Sequence, residues 1–158
     1  MAQKNKQHYW WIMLTIACFS MWFGGLMYEK FGNIDACRMC LVQRGMFLLI
    51  GVLSALTGLM GEGKMHKILS MVTLVALGIL FFLALYHAGL QYHWIRPARF
   101  CSVHHSVMSL DKLLGTPSAS CHERTLDIFG IPASVYSVIF SAFSFVVSLM
   151  FVGQKKGR

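Results

Sequence analysis

Apolar residues are concentrated in four long stretches of this chain, and shorter polar segments separate them. The stretches cover residues 9–28, 41–60, 68–90 and 132–152. Each is close to the ~20 residues that an α-helix needs to cross about 30 Å of hydrocarbon. The pattern therefore predicts an all-α membrane protein, a bundle of four transmembrane helices that forms a single domain over residues 1–158.

The composition supports this prediction and leaves no room for a second, soluble domain. Hydrophobic residues make up 56% of the chain and charged residues 13%, whereas soluble domains average about 45–50% apolar and about 25% charged residues. The first stretch follows Lys4 and Lys6, as the apolar part of a secretory signal would. It continues past Cys18 as far as Phe23, which favours a retained span in which Cys18 is a small buried hydrophobic residue.

The net charge of +8 bears on orientation rather than on nucleic-acid binding. Four spans put both tails and the loop 61–67 on one side of the membrane, and the loops 29–40 and 91–131 on the other. Each side has seven Lys and Arg residues, but those of the tails and the short loop lie within about 21 residues, all beside span ends. Dense Lys and Arg near span ends mark the cytoplasmic side. We therefore predict cytoplasmic termini, two external loops and no nucleic-acid partner.

The second external loop contains one further periodic segment. Val107, Leu110, Leu113 and Leu114 recur at helical spacing. Two structures fit this pattern equally well. One is a short amphipathic helix that lies on the membrane surface, and the other is a loop folded over the mouth of the bundle.

Four of the five cysteines lie in the two external loops. Cys37 and Cys40 form a C-x-x-C pair in the first loop, and Cys101 and Cys121 lie in the second. Disulfides persist outside the cytosol, so two structural disulfides that brace the bundle are one interpretation. A zinc site would need two closely spaced pairs of thiolates, whereas Cys101 and Cys121 are twenty residues apart. We expect no metal.

The position of the first pair favours a reactive site instead. Cys40 directly precedes the second span, so it lies near a helix N-terminus, whose partial positive charge stabilises a thiolate. Arg44 follows four residues later on the same helical face. An arginine inside a span is costly and indicates function, although a snorkelling arginine that anchors the helix is the alternative. A thiolate and a cation at headgroup depth are suited to a lipid-soluble electron acceptor such as a quinone.

These residues resemble those of a known family, the DsbB-type disulfide-generating membrane proteins. The segment 37–44 is similar to the family's C-x-x-C motif followed by a Gln/Glu-Arg pair, here Gln43 and Arg44. The segment 121–132 is similar to the family's stretch from its last cysteine into the fourth span. His87, late in the third span, stands where the family has a histidine on the quinone side. The resemblance covers nearly the whole chain.

The resemblance implies an activity, a cofactor and a partner. It implies an inner-membrane oxidoreductase that reoxidises a periplasmic DsbA-like, thioredoxin-fold dithiol and reduces ubiquinone or menaquinone. The catalytic residues would be the four external cysteines. The quinone-binding residues would be Arg44, His87 and Gln43.

The resemblance also implies an order of thiol–disulfide exchange. The reduced partner attacks a Cys101–Cys121 disulfide at Cys101, and the released Cys121 then attacks Cys37. Cys40 is left as a thiolate beside the quinone, where Arg44 stabilises the negative charge.

Two other classes of protein are alternatives to this hypothesis. A non-enzymatic four-span protein with structural disulfides would have cysteines that are inert towards a thioredoxin-fold partner, and it would hold no quinone. A small transporter or channel would need polar residues deep in several spans, where this sequence offers little beyond Ser and Thr.

Overall fold

Four long helices make up most of the chain described by the computed structural model, which covers residues 2–32, 36–60, 63–96, 127–128 and 130–153. The helices are α1 (Ala2–Gly32), α2 (Arg38–Leu59), α3 (Lys64–Gln91) and α4 (Ala133–Gly153). All four are long and apolar enough to cross a membrane. The predicted all-α, four-span architecture is therefore confirmed. The segment 107–114, for which an interfacial helix or a folded loop was expected, lies outside the described residues.

The helices extend beyond the apolar stretches that predicted them. α1 begins at Ala2 rather than near residue 9, and α3 begins at Lys64 rather than near residue 68. Hydropathy marks the part of a helix that crosses hydrocarbon, but the backbone hydrogen bonds continue into the interface, where polar side chains remain solvated. α2 also begins early, at Arg38. This early start puts Cys40 inside the first turn of the helix.

The helices pack in chain order, α1 on α2, α2 on α3 and α3 on α4. Trp10 connects the first helix to the last, because its Nε1 donates to Ser148 Oγ at 3.1 Å and its ring stacks on Phe151. The centre of the bundle holds a cluster of fully or almost fully buried side chains, comprising Trp11, Leu14, Cys18, Phe47, Ile50, Ala76, Leu77 and Leu80. Cys18 is 0% exposed, which confirms its predicted place as a buried hydrophobic residue.

The outer surface of the bundle is apolar. Phe82, Val75, Ile139 and Phe143 are each more than half exposed, and water would not tolerate so much apolar surface on a soluble domain. At the end of α3, Tyr92 stacks on Trp94 with ring centroids 5.5 Å apart. Amphipathic aromatic rings of this kind are enriched where a membrane meets water. Both features are those of a protein surrounded by lipid.

A small hairpin that hydropathy did not predict precedes α4. Strand β1 (Asp127–Ile128) pairs antiparallel with β2 (Ile131–Pro132), and Gly130 in the connecting turn has a φ of 77°. Glycine adopts positive φ without the steric cost that other residues meet. Two-residue strands are too short to produce a periodic pattern, so hydropathy could not indicate them. The hairpin ends at Pro132, immediately before Ala133, the first residue of α4.

Candidate active site

The C-x-x-C pair lies at the N-terminus of α2. Cys37 is the N-cap residue, and its sulfur accepts a hydrogen bond from the backbone N–H of Cys40 at 3.3 Å. This bond satisfies one of the N–H groups that the first turn of a helix leaves without an intrahelical partner. The two sulfurs are 2.9 Å apart, with the Cys37 thiol donating to Cys40. The separation is only slightly longer than the about 2.05 Å of a disulfide, so the pair can interconvert between dithiol and disulfide with little movement.

The two cysteines differ in accessibility. Cys37 is 1% exposed and packs against Met39 and Leu90. Cys40 is half-buried. The second cysteine of the pair is therefore the one more open to the surroundings of the bundle.

His87 from α3 lies directly against this pair. Its side chain is 1% exposed, and its Nε2 is 3.5 Å from Cys37 Sγ and 4.0 Å from Cys40 Sγ. The sequence predicted a role for His87 beside a quinone. The structure brings it to the cysteines themselves, which the spacing along the chain could not indicate because 50 residues separate His87 from Cys37.

Gln43 completes the group from the α2 side. It is 5% exposed, and its Nε2 is 3.2 Å from His87 Nδ1 and 3.4 Å from the carbonyl oxygen of Leu83. Cys37, Cys40 and Gln43 recur every three residues, so they share one side of α2. His87 and Leu83 are four residues apart and share one side of α3. Two helix faces therefore form the site.

Hydrogen bonding and burial make Cys37 a poor acid. They raise the pKa of its thiol to about 12, chiefly through the hydrogen bond to Cys40, then through loss of solvent, while His87 acts in the opposite direction. Interacting thiols titrate as a pair. The raised pKa keeps the proton on the Cys37 thiol, which donates to Cys40 Sγ.

Arg44 is directed towards α1. Its Nη1 pairs with Glu29 Oε2 at 2.5 Å, and its Nη2 donates to the carbonyl oxygen of Gly25 at 3.0 Å. The arginine side chain is 14% exposed and that of Glu29 is 35% exposed. A Cβ on Gly25 would lie 3.2 Å from Arg44 Nε, so the absence of a side chain there leaves room for the guanidinium group.

Glu29 is the residue of this site that the sequence analysis missed. The signal was present, since an acidic residue ends the first apolar stretch near the arginine that begins the second. What the sequence could not supply was the packing of α1 on α2 that brings them together. Arg44 was expected to act beside Cys40, and its guanidinium hydrogen bonds run to α1.

Cys37, Cys40 and His87 also belong to the residue types that bind zinc. Their donor atoms lie within 4.8 Å of one another. Structural zinc sites use four protein ligands, whereas the described part of the chain brings three together here.

A comparison with protein-family models settles the family. The model for disulfide bond formation protein DsbB matches residues 7–151. The chain belongs to the DsbB family. The resemblance seen in the sequence is thereby confirmed, and the match includes all four helices. No curated protein and no solved structure matched the chain.

Membership of the DsbB family identifies a membrane protein of disulfide bond formation and suggests a thiol oxidoreductase. The C-x-x-C pair at the start of α2 is the described part of the chain with the chemistry for that activity. Cys101 and Cys121, the other two cysteines predicted to be catalytic, lie outside the described residues. Their roles remain predictions from the sequence.

Proposed function

We propose that this DsbB-family protein is a thiol:quinone oxidoreductase of the bacterial inner membrane, with cytoplasmic termini. It reoxidises a periplasmic DsbA-like dithiol and passes the electrons to a respiratory quinone, ubiquinone or menaquinone. The observation that carries the proposal is the Cys37–Cys40 pair, which lies at a helix N-terminus with its sulfurs 2.9 Å apart and His87 against them. A pair that only braced the fold would need neither a buried histidine nor a nearby arginine.

The proposed path conserves one disulfide at each exchange. A partner thiolate attacks Cys101 of a Cys101–Cys121 disulfide, which forms a mixed disulfide and releases the Cys121 thiolate. That thiolate attacks Cys37, and the electron pair of the Cys37–Cys40 bond stays on Cys40. Each step is the attack of a thiolate on an accessible disulfide sulfur.

Electron transfer from a DsbA-like dithiol to a quinone is consistent with the reduction potentials of the two couples. A DsbA-like dithiol has a potential near roughly −120 mV, so the glutathione couple is too reducing to reoxidise it. A respiratory quinone is a stronger oxidant. When bound, it would supply the final oxidising equivalent by accepting two electrons and two protons.

The surface beside Cys40 is suited to a lipid-soluble oxidant. Leu41 and Val42 are 49% and 41% exposed, so an apolar patch adjoins the half-buried sulfur. Arg44 and His87 are the residues that would hold the quinone ring, Arg44 by its positive charge and His87 by its Nε2, which also faces the two sulfurs. Gln43 was predicted to be a third quinone-binding residue, but both of its described hydrogen bonds are to residues of α3.

Two measurements on the purified protein test the proposal. A reduced DsbA-like partner that lacks its second cysteine cannot release itself after it attacks the Cys101–Cys121 disulfide, so with the oxidised protein a mixed disulfide at Cys101 should accumulate on a non-reducing gel. Wild-type protein supplied with the partner that keeps both cysteines should also bleach the ultraviolet absorption of added ubiquinone. A matched Cys18→Ala variant should behave as wild type in both assays. The absence of both the adduct and the bleaching would favour a four-span protein with structural disulfides.

A further inference from the structure

The amide of Gln43 makes two hydrogen bonds from a single atom. Its Nε2 lies 3.4 Å from the Leu83 carbonyl oxygen and 3.2 Å from His87 Nδ1. The Leu83 oxygen can only accept, so the NH2 group and not the amide oxygen must face it. The second hydrogen of the same NH2 group then points at His87 Nδ1. Gln43 is 5% exposed, so water offers little competition for either bond.

This orientation determines where His87 holds its proton. A neutral imidazole has one protonated and one unprotonated nitrogen, and the hydrogen bond made by one nitrogen decides the state of the other. Nδ1 accepts from Gln43, so the proton is on Nε2. Nε2 is the nitrogen that faces Cys37 Sγ at 3.5 Å and Cys40 Sγ at 4.0 Å.

We infer that Gln43 is a positioning residue that holds His87 as its Nε2–H tautomer, so that an N–H group faces the two sulfurs of the redox pair. The place of this residue in the catalytic cycle rests on the function proposed above. His87 then stabilises a thiolate in the pair by hydrogen bonding, as charged acceptors make the stronger bonds. In the opposite tautomer the Nε2 lone pair would face the thiolate and repel it.

The effect falls on the step in which the Cys37–Cys40 disulfide opens. When the Cys121 thiolate attacks Cys37, a new Cys121–Cys37 bond forms, the Cys37–Cys40 bond breaks and the electron pair remains on Cys40. A neutral imidazole N–H donates a hydrogen bond to that sulfur and keeps its own proton. No acid or base is consumed, so the same group can serve each turnover.

The same reasoning argues against a resident metal at these three side chains. A histidine that binds a metal donates its other ring N–H to an acceptor such as a carboxylate or carbonyl. Here the other nitrogen, Nδ1, meets an amide donor, and the nitrogen that faces the sulfurs is the protonated one. Gln43 thus favours exchange chemistry over metal capture.

The tautomer can be measured directly on the full-length protein. Two-bond ¹H–¹⁵N correlation spectra of ¹⁵N-histidine protein distinguish the two ring forms, and loss of one signal set in His87→Gln identifies that residue. We expect the Nε2–H form in wild type and a mixture of both forms in Gln43→Met. Gln91→Met is the matched control, because Gln91 is 3% exposed and its side-chain oxygen accepts from Ser134 Oγ at 2.5 Å. This control should retain the wild-type form.

A kinetic measurement shows whether the tautomer acts on the sulfur. Alkylation of Cys40 by iodoacetamide in the reduced protein at neutral pH, located by mass spectrometry, reports its thiolate. Gln43→Met should slow it by the factor by which the Nε2–H population falls, which is about twofold for an equal mixture of the two tautomers. Gln91→Met should have no effect. In His87→Gln, whose amide N–H replaces the Nε2–H, adding Gln43→Met should leave the rate unchanged, so the effects of the two substitutions are not additive.

Two outcomes would overturn the inference. One is an Nδ1–H tautomer of His87 in wild type, and the other is equal slowing of alkylation by Gln43→Met and Gln91→Met. Neither readout uses a partner or a quinone. Failure of the proposed function would appear differently, as absent quinone reduction by a protein whose His87 keeps its proton on Nε2.

Discussion

The interior of the bundle and its cysteine end satisfy their polar groups in different ways. In the interior, hydroxyl groups mostly bond to a carbonyl oxygen of their own helix, as Thr57 does to Leu53 at 2.7 Å and Thr73 to Leu69 at 2.8 Å. At the cysteine end, the bonds join different helices. Gln43 connects α2 to His87 of α3, and the Arg44–Glu29 ion pair connects α2 to α1.

This difference separates polar side chains that the bundle merely accommodates from those that build the reactive site. A hydroxyl that bonds within its own helix is satisfied wherever that helix lies, so it places no demand on its neighbours. A bond between helices fixes the relative position of two side chains, which a reactive site requires. Interior bonds that do cross helices, such as Thr15 to Ser54 and Trp10 to Ser148, join neutral groups. At the cysteine end, by contrast, the bonds between helices involve a histidine and an ion pair.

The sharpest test compares a cysteine from each region. Cys40→Ser removes the sulfur that must carry electrons out of the pair, so partner-dependent quinone reduction should fall to background. Cys18→Ala, in the interior, should keep near-normal turnover and lose about 1 kcal/mol of stability from the truncated core side chain. Quinone absorbance and thermal unfolding of the purified variants measure the two effects. If folded Cys18→Ala lost its turnover, the division between the regions would be wrong.

A smaller effect is expected from the arginine pair. Arg44→Leu should raise the apparent KM for quinone by roughly ten- to a hundredfold, because a charge-assisted hydrogen bond contributes on the order of 1.5–3 kcal/mol. Arg44→Lys should recover part of the loss, since an ammonium group keeps the charge without the planar fork. The Cys101 mixed disulfide, scored on gels, should still form at near-normal rate.

Glu29→Gln is the companion variant, since it removes the countercharge and leaves the guanidinium in place. Its effect on the quinone KM should be smaller than that of Arg44→Leu. If Arg44 merely anchors the helix, leucine would lower stability or insertion while the quinone kinetics of the surviving protein stay normal. That result would remove Arg44 from the site.

The smallest change in stability should come from removing hydroxyl groups in the interior of the bundle. Thr57→Val and Thr73→Val keep the shape of the side chain and remove a bond made within one helix, so each should change stability by less than about 1 kcal/mol. Turnover should be unaffected. Thermal unfolding in detergent gives the comparison, and a loss as large as that caused by an interhelical substitution would contradict the distinction drawn above.

Local sequence patterns predicted the four long helices of this protein but not all of their contacts. Length and hydropathy were enough for four spans, and the C-x-x-C motif beside an apolar stretch was enough to put Cys40 near a helix N-terminus. Periodicity relates residues three or four apart on one helix. It carries no information on which face of another helix lies opposite.

The pairing of Gln43 with His87 depends on contacts between segments 44 residues apart, and that of Glu29 with Arg44 depends on the packing of α1 against α2. The family resemblance pointed to both Gln43 and His87, but as residues that bind a quinone and not as partners of each other. Of the Arg44–Glu29 ion pair, the sequence pointed to Arg44 alone. The placement of Cys101 and Cys121 stays a prediction.

The burial of Cys37 limits reduction of the Cys37–Cys40 disulfide by small thiols. A small thiol that diffused to the Cys37–Cys40 disulfide would reduce it without any oxidation of the protein partner. Because Cys37 is 1% exposed, a free thiol meets its sulfur only rarely. A cysteine on the same chain has a high local concentration set by its tether, so it can exploit brief openings that dilute thiols miss. Burial thus protects the Cys37 sulfur and favours attack on it by a thiol of the same chain.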